Sequence, residues 1–177
     1  GFNFMVNTAV PLGPNTELYA FGGRNFRDTD AYAFSRSSFA DGDNRSVPSL
    51  YPNGFTPHIT SNITDVSASA GIRHTMKNGW VADFSNTYGS NLFHYYIKGT
   101  NNASMKDASP TDFDAGGHSL SQNVTGLDFS KYFEEIVSGL NLAYGLEYRT
   151  EQFGIFAGEE ASYALYDNNG RPIIDPI

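Results

Sequence analysis

The chain has 177 residues, eleven basic and nineteen acidic, for a net charge of -8, a balance that argues against a nucleic-acid partner because a phosphate backbone selects basic surfaces. It has no cysteine, so neither a disulfide framework nor a thiolate metal site is available. No run approaches the roughly 20 apolar residues of a transmembrane helix, which excludes helical membrane proteins but not barrels, whose alternating strands hide their apolar half from a hydropathy window.

In chain order, Phe2, Phe4, Val6, Thr8 and Val10 alternate with Asn3, Met5, Asn7 and Ala9, and Pro11-Leu12-Gly13-Pro14-Asn15 ends the run, which predicts a strand and a tight turn. A second extended run follows from Thr16 to about Arg36. Tyr19 and Phe21 share a face, whereas Tyr32 and Phe34 fall on the opposite parity, so a bulge or bend is expected near Gly22-Gly23. From Ser37 to His58 the segment SSFADGDNRSVPSLYPNGFTPH has no period and reads as a long loop, of a kind usually functional or disordered. Asp65, Ser67, Ser69, Gly71, Arg73 and Thr75 then alternate with Val66, Ala68, Ala70, Ile72 and His74 in a third strand.

Lys77-Asn78-Gly79 supplies the positive φ of a hairpin turn. Trp80, Ala82, Phe84 and Tyr88 next oppose Val81, Asp83, Ser85, Thr87, Gly89 and Asn91 in a strand reaching about Ile97, and GTNNASMKDASPTDFDAGGH forms a second long loop. A fifth strand, around Ser119 to Phe133, sets Leu127, Phe129 and Phe133 against Asp128 and Ser130. After a short turn at about Glu135 to Gly139 comes the clearest alternation, within Gly139 to Ser162. Leu140, Leu142, Tyr144, Leu146 and Tyr148 take one face, and Asn141, Ala143, Gly145, Glu147, Arg149 and Glu151 the other.

That last run exceeds the roughly five or six residues typical of a soluble strand. Its two faces suit a wall between lipid and water, although a long strand of a soluble sandwich reads similarly. The connections alternate short and long, so all short turns fall on one rim and all long loops on the other, as in outer-membrane barrels with short periplasmic turns and long extracellular loops. Trp80, Tyr88, Tyr95, Tyr96, Tyr144 and Tyr148 suit either interfacial girdles or ordinary sheet positions. The first residues lack the pattern of a signal peptide, and Asp167 to Ile177 does not read as a closing strand, so an internal fragment is expected.

The segments YPNGFTP at Tyr51 to Pro57, NGWVADFSNTYGSN at Asn78 to Asn91, NASMKDASPTDFDAGG at Asn102 to Gly117, TGLDFSK at Thr125 to Lys131 and LNLAYGLEYRTEQFGIFAGEEASY at Leu140 to Tyr163 together resemble the barrel of TonB-dependent outer-membrane receptors, particularly those of Bacteroidetes-type bacteria. The resemblance covers most of the chain from about Tyr51 onward. It implies a barrel of about 22 strands with a plugged lumen. It also implies import of a scarce nutrient, such as a ferric siderophore, cobalamin or a glycan, with energy passed through TonB. The sequence shows no plug domain and no TonB-contacting box, so TonB would be met only through the missing plug.

In the barrel reading Asp65, Arg73, Asp83, Glu147, Arg149 and Glu151 face the lumen, where they either line the substrate path or pair in salt-bridge ladders across strands. Asp41-Gly42-Asp43-Asn44 has part of a calcium loop but lacks the remaining ligands, and reads as a polar turn. His58, His74, His94 and His118 have no metal-ligand spacing, so no metal and no cofactor are assigned. Asp112 and Asp114 could mimic a glycosidase carboxylate pair, but alternate loop residues carry no fixed separation. With no nucleophile elbow, phosphate loop or HExxH, no catalytic residue is assigned. The sequons at Asn44, Asn62, Asn102 and Asn123 have no meaning in a bacterial outer membrane.

The long loops are the ligand candidates, because binding residues concentrate on loops held by a rigid scaffold. Tyr51, Phe55, Phe113, Tyr163 and Tyr166 would stack on a ligand there or cap the rim. The expectation is therefore an all-β chain, residues 1–177 forming part of an antiparallel transmembrane β-barrel in the bacterial outer membrane. Its partners would be outer-membrane lipid, the remaining strands and plug of the same receptor, and the imported ligand. A soluble secreted β-sandwich that binds glycans and a small closed porin-like barrel are the alternatives.

Overall fold

The computed structural model describes residues 1–173. The protein is all-β. Strands β1 (Phe2–Gly13), β2 (Thr16–Tyr32), β3 (His58–Thr75), β4 (Val81–Lys98), β5 (Phe113–Phe133) and β6 (Leu140–Phe156) form one antiparallel meander in chain order. A separate two-stranded sheet pairs β7 (Leu165–Tyr166) with β8 (Pro172–Ile173). Part of the tail that does not read as a closing strand thus enters a small hairpin, and residues 174–177 of that stretch lie outside the described residues.

The main sheet is open, with β1 and β6 as its edges, and no pairing among the described residues joins them. This departs from the small closed barrel. A β-sandwich requires a second sheet face to face with the first, and the second sheet here has two residues in each strand.

Two compact units divide the chain. The first comprises Gly1–Phe26, Thr64–Asn91 and Ser119–Phe153, and it holds the three short turns. Its β1–β2 ladder runs unbroken from Phe2↔Phe26 to Pro11↔Glu17, passing Val6↔Gly22 and Met5↔Gly23 without a slip. The expected bulge at the glycines is absent from this ladder, and the one irregularity lies between Pro11 and Gly13. The aromatic parity changes along β2 for another reason. Tyr32 packs on His58, a contact of the second unit, 4.4 Å between ring centroids.

β1 also continues past Pro11, where the sequence predicted a turn. As an edge strand it tolerates a residue with no backbone N–H. The turn after β3 is closed by Gly79 N–H donating to the Met76 carbonyl, with positive φ at Gly79 (83°) and not at Asn78, whose side chain accepts from the Trp80 N–H. The left-handed residue is thus the fourth of the turn Met76-Lys77-Asn78-Gly79, not one of the two central residues as in a primed two-residue hairpin turn.

The two faces of this unit differ because strand side chains alternate. On one face Trp80 meets Phe133 and Tyr144, at 6.3 and 5.5 Å between centroids, and Phe129 stacks on Tyr144 at 5.4 Å. Phe4, Val6, Ala20, Ala68, Ala70 and Tyr88 continue that surface, with Arg24 also on it. Asn86 on this face bonds Asn123 and Thr125. On the other face Tyr19 donates to Asp83 at 2.6 Å, and its ring fills the space beside Gly71, where a Cβ would lie 2.4 Å from the phenol.

The second unit comprises Arg27–Ile63, Leu92–His118 and the residues from Gly154 on, and it holds the long connections. Of the buried residues all but Ser69 belong to it, including the apolar Val47, Ile63 and Phe113. Here β3 begins at His58 and β5 at Phe113, both earlier than alternation predicted, because these stretches carry polar groups on both faces.

Candidate functional site

The long loops are ordered by each other. Loop 33–57 contains a 3-10 turn at Phe39–Asp41 capped by Ser38, and loop 99–112 contains another at Ala103–Ala108 capped by Asn102. A third turn, Glu160–Ser162, follows β6. Asn102 joins two of these segments, its Nδ2 donating to the Ala161 and Ala164 carbonyls at 2.9 and 2.8 Å while its Oδ1 accepts from the Ser104 N–H. Asn101 joins the same loop to loop 33–57, donating to the Arg45 carbonyl at 2.8 Å and accepting from the Val47 N–H. Ser49 bonds Asp107, Lys106 bonds Asn168, and the Tyr166 N–H donates to Ser104 Oγ.

These segments enclose a cavity of about 380 Å³. Among the residues expected to contact a ligand, Phe55, Phe113 and Tyr163 line it. Phe113 is buried and forms a wall, while Tyr163 is 66% exposed at the mouth. Tyr51 and Tyr166 do not line it. Tyr51 packs on Phe55 at 4.4 Å and donates to the Thr100 carbonyl, and burial together with the Asp112 carboxylate pushes its phenol pKa up, so it remains a neutral donor. Tyr166 belongs to the small hairpin and donates to Glu160.

Sequence reasoning missed the cations of this cavity, Arg36 and Arg45. Arg36 is fixed through its backbone, donating to the Phe55 carbonyl at 2.7 Å and accepting from the Phe55 N–H at 3.0 Å. Arg45 is fixed through its side chain, a bidentate pair with Asp43 at 2.7 and 2.9 Å. That guanidinium holds the Asp43 carboxyl down at about 2. In Asp41-Gly42-Asp43-Asn44, Asp43 is thus committed to Arg45 and Asp41 to the Ser38 hydroxyl, the bonding of a polar turn. The one available signal was the density of Asn, Asp and Ser in the loops, which marks side-chain-to-backbone bonding without naming the partners.

The carboxylates Asp112 and Asp114 work separately. Asp112 accepts from the Gly99 N–H, while Asp114 accepts from the Gly116 N–H and from His94 at 2.8 Å. His94 contacts the Tyr96 hydroxyl at 3.3 Å, and Phe156 lies edge-on to its ring. His118 instead stacks on Phe93, although Asp114 and His118 share parity on β5. Gly116, at φ +70°, lies between them and re-aims Asp114 toward His94, as a bulge does. His58 pairs with Asp30 and His74 with Thr16, and no group of three metal-ligating side chains occurs among the described residues.

The charges expected to face a lumen share the polar face of the first unit. Arg73 bonds Asp83 at 2.9 Å across strands and approaches Glu17 at 3.9 Å. Asp65 accepts from Asn91, and Glu151 from Gln122. Arg149 pairs with Glu147 at 2.8 Å and lies 3.9 Å from Glu151, neighbours two residues along its own strand. The ladder across strands is therefore real at Arg73 and replaced by pairing along one strand at Arg149. No protein-family model, curated protein or solved structure matches the chain.

Proposed function

We propose that the chain is part of the wall and extracellular loops of a TonB-dependent outer-membrane receptor that imports a scarce nutrient such as a ferric siderophore or glycan. The carrying observation is the apolar face of the first unit. Phe4, Val6, Val10, Phe84, Tyr144, Leu146 and Tyr148 are 49 to 77% exposed there. Soluble monomers rarely expose contiguous apolar patches above a few hundred Å², and lipid is the solvent in which such a face costs nothing. Lys131 on this side lies over the Phe133 ring two residues from the strand end, as a snorkelling cation would.

In this reading the long strands span the outer membrane and the long loops face the medium. Capture by the loops precedes passage gated by the plug, with the energy supplied through TonB. Trp80, Phe133 and Tyr144 cluster beside the short turns, suiting a periplasmic aromatic girdle. The resemblance of the five sequence segments supports the same reading.

The test is fractionation of cells that make the protein. Sedimentation with the outer membrane, resistance to carbonate extraction and labelling of residues 37–57 on intact cells are expected. Recovery in the aqueous supernatant as a monodisperse protein without detergent would overturn the proposal.

A further inference from the structure

We propose that the cavity of the second unit binds a compact organic anion, a carboxylate or phosphate ester borne on a small ring or short apolar body, through Arg36 assisted by Arg45. This deepens the reading of the loops as the capturing part of a receptor, but its chemistry comes from the cavity itself.

The first argument is charge. Among the described residues, Arg36 and Arg45 are the charged residues lining the cavity and no Asp or Glu lines it, in a chain with a net charge of -8. Arg45 already has Asp43, yet its Nη1 makes no bond to that carboxylate. Arg36 is half-buried, and among the described residues nothing bonds its guanidinium. A part-buried planar fork of donors with no acceptor among the described residues matches a carboxylate or phosphate, which accepts two parallel bonds.

The second argument is preorganisation. The backbone of Arg36 is bonded in both directions to Phe55, and Gly54 lets the chains approach so closely that a Cβ there would lie 2.3 Å from the Arg36 carbonyl oxygen. Asp43 orients Arg45, and Asn101 holds the Arg45 carbonyl. The Arg36 backbone and the Arg45 guanidinium are thus placed before the ligand arrives, and only the Arg36 side chain is left for it to order, which removes part of the entropic cost of binding.

The third argument is shape and polarity. Phe55, Ile97, Phe113 and Leu165 give the cavity an apolar wall, and Tyr163 stands at its mouth. A volume of about 380 Å³ is at the small end of ligand sites and excludes full enclosure of an oligosaccharide. An inorganic anion would leave that wall uncovered.

The test uses the 177-residue chain folded in detergent micelles and ligand-observed NMR with 4-fluorobenzoate, phenyl phosphate, inorganic phosphate and neutral 4-fluorobenzyl alcohol. Saturable binding of 4-fluorobenzoate or phenyl phosphate is expected, with the tighter of the two identifying the headgroup. The neutral alcohol and inorganic phosphate should each bind at least about tenfold more weakly, and Arg36→Gln should weaken the anions by about tenfold or more. Arg36→Lys, which keeps the charge without the fork, should fall between them. Ala161→Phe, filling the cavity without touching either arginine's charge, should block every probe.

Equal affinity for the alcohol or for inorganic phosphate overturns the assignment, as does parent-like binding by Arg36→Gln or by Ala161→Phe. The membrane reading fails separately. Anion binding by a protein that fractionates as soluble keeps the site and removes the receptor, whereas an outer-membrane protein that binds none of the anions keeps the receptor and removes the site.

Discussion

The two units use the same strands for opposite purposes. The second, with its long connections, gathers the buried residues Val47, Ile63 and Phe113 and the polar contacts of Asn101 and Asn102, so its loops are held by the chain's own interior. The first has Ser69 as its single buried residue, and its large apolar side chains look outward. Long regular strands therefore do not imply a core. A wall is stabilised by what lies against it, and a loop cluster by what lies within it.

The strongest way to break this comparison is Leu146→Arg on the exposed face of β6. In lipid the substitution should destabilise folding into phospholipid vesicles by about 2 to 4 kcal/mol if Leu146 sits near the midplane. On a water-facing sheet it would change stability by less than about 0.5 kcal/mol, and a urea titration separates the two. Quenching of the single tryptophan, Trp80, by brominated lipids should accompany the large effect.

A smaller effect is expected on the polar face. Gly71→Val places methyl groups where the Tyr19 ring lies and should cost roughly 1 to 3 kcal/mol through overpacking, with loss of the Tyr19–Asp83 bond. Normal stability together with an unmoved Tyr19 resonance would contradict this packing. In the second unit, Asn102→Ala leaves the Ala161 and Ala164 carbonyls without their donor. It should cost about 1 to 2 kcal/mol, read locally as faster amide exchange over residues 160–166, with the β1–β2 amides unchanged.

The response to acid sharpens the contrast further. Asp43 has its pKa lowered to about 2 by Arg45 in the folded chain, against an ordinary value of 3.8. The folded state therefore binds fewer protons in that window. The stabilisation is full above about pH 4 and is lost as pH falls toward 2. Chemical shifts of Arg45 and Asn101 should hold steady from neutral pH to about 4 and move below it, while Asp43→Asn removes the transition.

The smallest effect belongs to Arg149→Ala. Both partners of that pair are about half exposed, so a change of about 0 to 1 kcal/mol is expected, with strong dependence on salt. A larger loss would mean that the polar face is shielded from water.

Most of the six-stranded sheet was legible because one face of each strand is apolar. Val81–Lys98 and Leu140–Phe156 match the alternation of Trp80 to Ile97 and of Leu140 to Glu151 closely. The signal faded where both faces turn polar. His58 to Ile63 and Phe113 to His118 are strand, but their Thr, Ser, Asn and Gly residues gave no period. The Gly22-Gly23 bulge was misplaced because a change in where the aromatics point looks, in sequence, like a slip of register. Phe55, Phe113 and Tyr163 were reachable as loop aromatics. Arg36 and Arg45 were not, since what makes them a pair is the closing of segments far apart in the chain.

The meander's connectivity carries a consequence for the order of folding. Every strand of the main sheet pairs with its neighbour in sequence, so each hairpin can zip up locally with little loop-closure entropy. The cavity is different, because it needs residues from Arg36 to Leu165 in place together. It should be among the last features to form, and a register error in any hairpin along the way would surface first as a missing pocket rather than as missing strands.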